Sequence, residues 1–587
     1  MSQDKKEQKE QPDQLRHSAA HLLAAAVLEL RPDAKPTIGP AIDEGFYYDF
    51  AFEKPFSEDE LPAVEQKMRE LVKNWTSFER HEVSAQEAMD KFAQNTYKLE
   101  LINEILDKQE PLTLYQSGSF VDLCRGGHVD NPSVELKYFK LLSVAGAYWR
   151  GNEKNAMLTR IYGTAFYSQA ELDEFVQQKE EAKLRDHRKI GAEQELYFID
   201  DAVGKGLVMW LPNGTILRDE IEKLAKEKEA AGGYQRVVTP HIAREELYLT
   251  SGHLPYYQDS MFPPMKMDDG TYYLKSMNCP HHHQLYLHKP HSYRELPVRF
   301  AEYGTCYRNE LSGTLAGLLR VRGMAMNDAH IYLRRDQIKE EFANVIRLVQ
   351  EYFAIFGLEK YWFRLSKWDP KHTEKYIDEA ENWEFSEQVL REVLQELKVE
   401  FVEADDEAAF YGPKVDVQFK SVIGREETMS TIQLDFAAKK RFGLKYTDKD
   451  GLENNEVFVI HRAPLSVHER FLAFIIEHYA GKFPVWLSPV QVKVLPITDE
   501  HAEYAQKVAT RLRAANVRVE IDDRAERLNA KIRDAQLKKV PYMLVVGGKE
   551  AEAGTVALRE RDNSAQQVLP LDEFVTRVVG EITARSA

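Results

Sequence analysis

Two short motifs in the first part of the chain contain residue types that bind metal ions or position water. HSAAH contains His17 and His21, and CRGGH contains Cys124 and His128. Residues four positions apart on a helix share one face, so the two histidines can converge on one site, whereas the paired glycines favour a tight turn. The four side chains would suit tetrahedral zinc. They would also suit a metal-free hydrolytic pocket in which neutral imidazoles position water, and spacing alone leaves both open.

Cys279, His330 and His461 form a second set of metal-binding residue types, spread over the later part of the chain. Three protein ligands with an open fourth position suit a metal ion that also binds substrate. Many other histidines are present, including the run at 281–283. The residue types alone therefore make a zinc site here only a hypothesis.

Arginine and glutamate form a third set of candidate residues. TCYRNE contains Arg308 and Glu310, LLRVRG contains Arg320 and Arg322, and VHERF contains Arg470. Guanidinium groups bind phosphates through paired donors. Since neither GxxxxGK[ST] nor GxGxxG occurs in the chain, a P-loop or Rossmann phosphate site is not predicted.

The elements that carry these residues must belong to several domains, because 587 residues exceed what one hydrophobic core usually supports. Residues 15–30 and 57–74 predict helices, and residues 36–50 predict turns and short strands. The first region is therefore expected to be a compact α+β domain. Residues 169–189 predict a charged connecting helix.

The pattern changes in the later part of the chain. Over 196–485, helices separate strand-like runs such as RVVTPHI, YWFRLS, VDVQFK and TIQLDF, which favours an α+β domain with a largely antiparallel sheet. After FPVWLSP, strands and helices alternate through VQVKVLPI, EHAEYAQKVATRLRAA, VRVEID, RLNAKIRDAQLKK and YMLVVG. This alternation predicts a small α/β domain.

Composition narrows the class of protein. Three cysteines argue against a disulfide framework and favour a reducing cytoplasm. A net charge of −17 argues only weakly against a nucleic-acid binder, since binding depends on local basic patches. No stretch approaches the ~20 apolar residues of a membrane span, so no membrane partner is predicted. The polar start, MSQDKKEQKEQPDQ, lacks a secretory signal and predicts a disordered lead.

Many ordered motifs resemble those of the threonyl-tRNA synthetases, a family of class II aminoacyl-tRNA synthetases. GGYQRVVTP, TCYRNE and HERF resemble class II motifs 1, 2 and 3, and the family is further indicated by SMNCP, RVRG, NDAH, AFYGPK, TIQLDF and IHRAP. HSAAH, VDLCRGGH, GAYWRG and RIYGTA are similar to the editing domain of that family, and PVQVKVLPIT and KKVPYMLVVG to its anticodon-binding domain. The resemblance extends from about residue 13 onward.

The resemblance implies an α+β multidomain fold. Its parts would be a disordered lead over 1–12, an α+β editing domain over 13–168, a linker helix over 169–195, a class II catalytic domain with an antiparallel sheet over 196–486 and an α/β anticodon-binding domain over 487–587. The implied reaction is ATP-dependent ligation of L-threonine to tRNA(Thr) through threonyl-adenylate. Seryl-tRNA(Thr) would be hydrolysed in the editing domain, because one methyl group supplies only ~1–3 kcal/mol of discrimination.

The resemblance also implies residue roles. One Zn²⁺ per chain would be held by Cys279, His330 and His461 and would bind the amino group and hydroxyl of threonine, which rejects valine. Threonine would also be bound by Asp328, Tyr411 and Gln433. ATP, with Mg²⁺, would be bound by Arg308 on the α-phosphate, Arg470 on the terminal phosphate, and Glu310, Arg320, Lys414 and Thr431; the two arginines count as catalytic.

The editing pocket of the family works without zinc, so metal-free hydrolysis is expected in the first domain. Its residues would be His17, His21, Tyr48, Lys98, Asp122, Cys124 and His128. Anticodon contacts would come from Arg533, Lys539, Glu550 and Arg559, with Lys539 where arginine is common. The family usually forms homodimers through motif 1.

The chain departs from the family pattern at several positions. A small extra domain usually precedes the editing domain, and here only the polar lead is expected. Met324 stands where an aromatic residue usually stacks on adenine, and Met326 replaces a common glutamine. Ala316 replaces a common histidine, and Ser466–Val467 replaces Gly–Ser. These changes could alter substrate or inhibitor affinity.

Three other functions compete with this interpretation. A regulatory paralogue or a stand-alone editing hydrolase would be expected to lose Arg308, Arg470 or a zinc ligand, and all are retained. A synthetase for serine or proline would not need this Cys/His/His set together with this editing domain.

Overall fold

The computed structural model describes residues 3–152, 154–372, 374–421, 426–563 and 565–586, with side chains from residue 13 onward. The chain divides into two compact units, Met1–Glu180 and Glu181–Ala587. Within the described ranges, no helix combines the length and the apolar character needed to cross a membrane.

The first unit combines helices with antiparallel sheets. Its elements are α1 (Gln3–Leu30), β1 (Lys35–Pro36), β2 (Ala41–Ile42), β3 (Gly45–Ala51), α2 (Leu61–Leu71), β4 (Glu79–Glu82), α3 (Ala85–Lys91), α4 (Thr96–Asp107), β5 (Thr113–Ser117), β6 (Phe120–Leu123), α5 (Pro132–Glu135), β7 (Tyr138–Tyr148) and β8 (Met157–Phe166). One sheet has the order β1-β3-β8-β7 with β2 paired to β3, and a second has the order β4-β5-β6. This is the α+β arrangement that the sequence predicted.

Helix α1 lies in the core of the first unit. Leu15, Ala19, Leu22 and Ala26 are buried and recur at three- and four-residue spacing, the pattern of a helix with one face on a core. The helix begins at Gln3, within the segment 1–12 that the sequence predicted to be disordered. That segment is rich in Lys, Glu and Gln, which favour helix. Residues 1 and 2 lie outside the described residues.

The predicted single linker helix over 169–195 is instead two helices, α6 (Gln169–Arg185) and α7 (His187–Glu193). Asp186 lies between them, and its carboxylate accepts the backbone N–H of Arg188 at 2.8 Å. A carboxylate in this position starts a new helix. The correction therefore comes from an N-cap residue that interrupts the charged segment.

Residues 196–486 of the second unit form an α+β fold, as the sequence predicted. Its elements are β9 (Tyr197–Ile199), β10 (Val208–Trp210), α8 (Pro212–Ala231), β11 (Gln235–Arg236), β12 (Ile242–Arg244), α9 (Glu245–Ser251), α10 (His253–Tyr256), β13 (Met265–Met267), β14 (Gly270–Leu274), α11 (Cys279–Leu287), β15 (Val298–Tyr307), β16 (Gly323–Leu333), α12 (Ile338–Ile355), β17 (Tyr361–Ser366), α13 (Ala380–Glu396), β18 (Phe401–Ala404), β19 (Lys414–Lys420), β20 (Glu426–Asp435), α14 (Ala438–Phe442), β21 (Tyr446–Thr447), β22 (Glu453–Asn454), β23 (Phe458–Arg462) and α15 (His468–His478).

An eight-stranded sheet organises this region in the order β11-β15-β16-β23-β20-β19-β17-β18. Its pairings are antiparallel except at the two edges, where β11 pairs with β15 and β18 with β17 in parallel. Helices α12, α13 and α15 contribute many of the buried side chains that pack with the sheet in one hydrophobic core. The largely antiparallel sheet predicted from the sequence is confirmed.

The predicted strand RVVTPHI is mostly irregular. Only its ends belong to strands, in β11 and β12, and residues 237–241 lie between them. Pro240 lacks a backbone N–H, and the N–H of Thr239 donates to the carboxylate of Glu302 at 2.7 Å rather than to a neighbouring strand. The segment therefore serves as a link that contacts β15 through one backbone hydrogen bond, from Val237 to Ala301, and through the side chain of Glu302.

The last part of the second unit is a five-stranded sheet with helices. Its elements are β24 (Val492–Pro496), α16 (Ala502–Ala514), β25 (Val519–Ile521), α17 (Leu528–Leu537), β26 (Tyr542–Val546), α18 (Gly548–Ala553), β27 (Thr555–Glu560), β28 (Gln566–Pro570) and α19 (Leu571–Ala584). The order is β25-β24-β26-β27-β28, parallel for the first three strands and antiparallel for the last two. The predicted α/β alternation holds through β26, and the antiparallel strands after it were not predicted.

Candidate functional site

The first four candidate residues come together beside α1 in the first unit. His17 and His21 lie on successive turns of α1, and Cys124 and His128 lie on the loop that follows β6. Their ligand atoms all lie within 4.8 Å of one another. A cavity of about 470 Å³ adjoins them, and its lining includes His17, His21, Tyr48, Lys98, Asp122 and Cys124.

Hydrogen bonds fix two of the three imidazoles of this cluster around the thiol, whereas Nδ1 of His21 is buried without a hydrogen-bond partner. Nδ1 of His17 lies 3.2 Å from the carbonyl of Gly127, so it carries the proton, and Nε2 is an acceptor 3.5 Å from Sγ of Cys124. His128 places Nε2 at 3.3 Å from the same sulfur and Nδ1 at 3.2 Å from the hydroxyl of Ser18. Each of these two rings therefore has a partner at both nitrogens.

A buried ion pair lies in the wall of the same cavity. Nζ of Lys98 lies 2.5 Å from one carboxylate oxygen of Asp122, and the hydroxyl of Tyr48 donates to the other at 2.5 Å. All three side chains are buried. Breaking a buried pair leaves an uncompensated charge, which costs roughly 3–5 kcal/mol. These residues therefore form a fixed polar wall.

Burial keeps the His/Cys cluster uncharged. It lowers the pKa of His17 and lowers the pKa of His21 and His128 further. It also raises the pKa of Cys124 to about 11. At neutral pH the cluster consists of neutral imidazoles and a thiol, which can orient a water molecule without adding charge.

The second set of candidate residues comes together through the register of the eight-stranded sheet. His330 on β16 pairs with His461 on β23, His461 pairs with Gln433 on β20, and Gln433 pairs with Lys414 on β19. Directly paired residues on antiparallel strands share one face. Cys279, the first residue of α11, completes the site: its sulfur and one nitrogen of each histidine lie within 4.8 Å of one another.

The partners of the two histidines leave one nitrogen of each ring suited to an ion. Nε2 of His461 donates to the carboxylate of Asp435 at 3.1 Å, so Nδ1 keeps its lone pair. Nδ1 of His330 lies 2.8 Å from Nδ1 of His282, whose Nε2 lies 3.1 Å from the carboxylate of Glu302. If His282 donates to Glu302, it accepts from His330, and Nε2 of His330 keeps its lone pair. Carboxylate-supported imidazoles are typical of metal sites.

A cavity of about 320 Å³ joins this triad to the predicted threonine-binding residues. Its lining includes Cys279, His330, His461, Asp328, Tyr411 and Gln433. The hydroxyl of Tyr411 donates to Gln433 at 2.5 Å, and the amide of Asn278 donates to Asp328 at 3.1 Å. Burial raises the pKa of Asp328, so a cationic group beside it would offset the cost of burying the carboxylate.

Three of the predicted ATP-binding residues, Arg308, Thr431 and Arg470, line the same cavity. Burial, and then the positive charge of Arg308, lower the pKa of Arg470. An anion between the two guanidinium groups would relieve that repulsion. The cavity therefore combines a metal-binding triad with a site suited to phosphate.

Three predicted ATP-binding residues are not among the described residues that line this cavity. Glu310 and Arg320 form an ion pair with each other at 3.5 Å. Lys414 lies 3.0 Å from the buried carboxylate of Asp416, which also accepts the hydroxyl of Thr431 at 2.8 Å. Their predicted contact with ATP stays a prediction.

Comparisons with known proteins match three segments of the chain to known domain families. Residues 264–479 match the tRNA synthetase class II core domain (G, H, P, S and T), residues 491–581 an anticodon binding domain, and residues 112–162 the threonyl and alanyl tRNA synthetase second additional domain. The chain is 49% identical over 573 residues to the threonine–tRNA ligase of Anoxybacillus flavithermus, covering 97% of this chain and 89% of that protein. The chain belongs to the threonine–tRNA ligase family.

Two further relatives of this family agree. The threonine–tRNA ligase of Staphylococcus carnosus is 51% identical over 570 residues, covering 97% of this chain and 88% of that protein. Among solved structures, the RNA binding domain of threonyl-tRNA synthetase from Cryptosporidium parvum superimposes with a TM-score of 0.64 at 36% identity, covering 68% of this chain and 98% of that one. The predicted family and fold class are confirmed.

Three of the five positions that depart from the family pattern, Met326, Ser466 and Val467, line the cavity, whereas Met324 and Ala316 are not among its described lining residues. Met324 is buried against Cys306 rather than exposed to the cavity. Ser466 has a positive φ of 56°, where glycine would be less strained. The serine therefore adopts the backbone conformation that favours the usual glycine of the family.

The four predicted anticodon contacts all fall within the matched anticodon binding domain, but their surroundings differ. Arg533 is exposed on α17. The carboxylate of Glu550 accepts the N–H of Gly547 at 2.9 Å and so caps α18. Nε of Arg559 is buried without a hydrogen-bond partner. Nζ of Lys539 donates to the carbonyl of Ala480 at 2.5 Å.

Sequence reasoning missed the residues that support the ligands. His282, Glu302 and Asp435 hold the histidines of the second set, and Ser18 holds His128. The run at 281–283 and the one acidic residue of TIQLDF were available signals, since ligand histidines usually have such partners. The position of helix α11 determines which of the three adjacent histidines contacts His330, and the sequence alone does not predict it.

Proposed function

We propose that the 320 Å³ cavity of the second unit is the aminoacylation site of this threonine–tRNA ligase. One observation carries the assignment: a single cavity is lined by a Cys/His/His triad, a buried carboxylate and two arginines. An enzyme that joins an amino acid to ATP needs an amino-acid pocket and a phosphate pocket within reach of each other. The ligation of threonine to tRNA through threonyl-adenylate fits both halves.

Zinc fits the Cys279, His330 and His461 triad. A thiolate and two imidazoles are its preferred ligands, and three of them leave a fourth position open. When bound, the metal would act as a Lewis acid that takes the amino group and hydroxyl of threonine. The chain itself provides Asp328 for the ammonium group and the Tyr411–Gln433 pair beside it.

The two arginines bind the triphosphate in this proposal. Arg308 takes the α-phosphate and Arg470 the terminal phosphate, with Mg²⁺ accompanying ATP. Fixed guanidinium groups stabilise charge that develops at phosphorus without having to reorganise. Thr431 lines the cavity nearby, and Glu310, Arg320 and Lys414 would complete the nucleotide site when ATP is bound.

The cavity of the first unit is proposed as the editing site for seryl-tRNA(Thr), without a metal. His17, His21, Cys124 and His128 would orient the attacking water, and Tyr48, Lys98 and Asp122 would form the polar wall. Support comes from the hydrogen bonds of the cluster, which already pair the thiol with two imidazoles. A zinc ion would have to displace these contacts.

Further proposals concern partners and location. The anticodon would contact Arg533, Lys539, Glu550 and Arg559. The chain would form a homodimer through its motif 1 region, as the family usually does. With three free cysteines and cytosolic substrates, the expected location is the cytoplasm.

ATP–pyrophosphate exchange on purified protein of measured zinc content tests the aminoacylation site. Threonine should support strong exchange, serine weaker exchange, and valine and proline almost none, at about one zinc per chain. Exchange with valine as fast as with threonine would contradict recognition through the hydroxyl. Two zinc ions per chain would contradict metal-free editing.

A further inference from the structure

A turn in the loop between β15 and β16 is bound by a histidine from α7. The turn spans residues 316–320, closed by the N–H of Ala316 and the carbonyl of Arg320 at 3.3 Å. At its centre, the N–H of Leu318 donates to Nε2 of His187 at 3.1 Å. Nδ1 of His187 lies 2.7 Å from the carboxylate of Glu477. Since Nε2 accepts, Nδ1 carries the proton and donates to Glu477.

The same turn is bound at the next residue by a proposed ATP-binding arginine. The carbonyl of Leu319 accepts Nε of Arg470 at 3.2 Å. Arg470 and Glu477 both belong to α15. One helix therefore holds two adjacent backbone groups of the turn, the carbonyl directly and the N–H through His187.

Packing leaves this contact little freedom. His187 is 3% exposed and Leu318 is fully buried. Gly317 has a φ of +52°, and a Cβ there would lie 2.3 Å from Nε2 of His187. Such a distance is well below van der Waals contact, so only glycine lets the turn approach the ring this closely.

We propose that His187 is a positioning residue for the nucleotide half of the reaction, which rests on the proposed role of Arg470 and Arg320 in ATP binding. His187 fixes the turn against α15. The turn then holds Nε of Arg470 and contains Arg320. Removing the acceptor leaves the buried N–H of Leu318 unpaired. The turn then shifts, and both arginines lose their alignment with the phosphates.

Two substitutions at one position separate the contacts. In His187→Asn, the short amide can donate to Glu477 but cannot reach Leu318. In His187→Gln, the longer side chain can place its oxygen near the position of Nε2 and accept from Leu318. His288→Asn, an exposed histidine at the end of α11, is the matched control for the same change of residue type.

The measurement is threonine-dependent ATP–pyrophosphate exchange by the full chain, with KM for ATP and kcat determined per active site. His187→Asn should raise KM for ATP about tenfold, the scale of one unpaired buried N–H, while KM for threonine, zinc content and hydrolysis of seryl-tRNA stay at wild-type values. His187→Gln should recover most of the loss. A purely structural role would instead lower the fraction of active sites and leave KM unchanged.

Other outcomes decide against the proposal. It is overturned if His187→Asn keeps KM for ATP within twofold of wild type, or if His187→Gln is impaired as strongly as His187→Asn. If His187→Asn does not fold, Glu477→Ala takes its place and should raise KM for ATP in the same way. Arg470→Ala tests the proposed role of Arg470 separately from that of His187. Wild-type exchange in this variant would refute the phosphate assignment itself, whatever the result for His187.

Discussion

In the first unit, the imidazoles of His17 and His128 are held by a backbone carbonyl and a hydroxyl, whereas those of the second unit lead to the carboxylates of Asp435 and Glu302. Both clusters contain one cysteine and at least two histidines, with ligand atoms within the same 4.8 Å. The residue types and spacings therefore do not distinguish them. Their hydrogen-bond partners do.

A carboxylate behind an imidazole fixes which nitrogen carries the proton and makes the other a stronger ligand. A carbonyl or hydroxyl does this less strongly. In the first cluster, Nε2 of His17 and Nε2 of His128 are already paired with the thiol of Cys124. In the proposed assignment, a metal site and a metal-free hydrolytic site share the same residue types and differ in the groups that lie behind the imidazoles.

The largest expected effect is at the cysteine of the second cluster. Cys279→Ser should remove zinc and reduce threonine-dependent ATP–pyrophosphate exchange to background, because a serine hydroxyl is a poor zinc ligand at neutral pH. Hydrolysis of seryl-tRNA should continue. Cys124→Ser is the reciprocal variant: it should retain one zinc and normal exchange. Loss of zinc from Cys124→Ser would reverse the assignment of the two clusters.

The next effect concerns the first cluster. His17→Ala should slow seryl-tRNA hydrolysis about a hundredfold, the scale of losing one positioned acid–base group, with exchange and zinc content unchanged. His81→Ala, at an exposed histidine on β4 of the same unit, provides the control. Hydrolysis at the wild-type rate in His17→Ala would exclude this histidine from water positioning.

A smaller effect should follow from the partner of a ligand. Asp435→Asn keeps the shape of the side chain but loses the carboxylate behind His461, and should weaken zinc binding about 10- to 100-fold. Competition with a chelator of known affinity measures this. Ser18→Ala, which removes the partner of His128, should leave the zinc affinity unchanged. Equal zinc affinity in Asp435→Asn and wild type would show that the carboxylate does not support the ligand.

The smallest effect is a difference in acid sensitivity. Burial lowers the pKa of His17, His21 and His128 in the folded state, so the unfolded chain binds more protons. The stabilisation from these neutral rings is present above the unfolded pKa of about 6.5 and is lost as pH falls below it. Hydrogen exchange from α1, corrected for intrinsic rates, should be at least about tenfold faster at pH 5 than at pH 7.5.

Helix α19 serves as the internal reference for that experiment, because no buried histidine lies among the described residues after residue 486.

Above neutral pH the first cluster should not titrate until the Cys124 thiol ionises near its pKa of about 11. Seryl-tRNA hydrolysis should therefore be nearly flat between about pH 7 and 9. A steep rise within this range would point to a thiolate or hydroxide ligand instead.

Much of the fold could be predicted from local pattern. The periodicity of α1 and the alternation of strands and helices through β26 follow from residue spacing, and both appear in the structure. The prediction of a single linker helix was wrong at Asp186, because the sequence of a charged segment does not show that one of its residues caps a second helix. The prediction of a strand at RVVTPHI was wrong because it gave the β-branched residues more weight than Pro240. In the structure, the N–H of Thr239 donates to a side chain and not to a strand.

The convergence of the candidate residues depended on information that spacing does not contain. His330, His461 and Gln433 share one row because three strands, far apart in sequence, pair in one register. The residues that hydrogen-bond to the ligand histidines were harder still to predict. Asp435 lies two residues beyond Gln433 on the same strand, yet only the turn into α14 shows that its carboxylate also accepts two backbone N–H groups, from Ala437 and Ala438.

The position in the chain of the strands that form the second site also determines when each site can fold during synthesis. The ribosome delivers the chain from its N-terminus, and domains usually fold as they emerge. Every residue of the first cluster and of its polar wall precedes residue 180, where the first unit ends. His461 lies on the eighth and last strand, in chain order, of the eight-stranded sheet. A nascent chain therefore acquires its proposed proofreading pocket long before it can load a single amino acid.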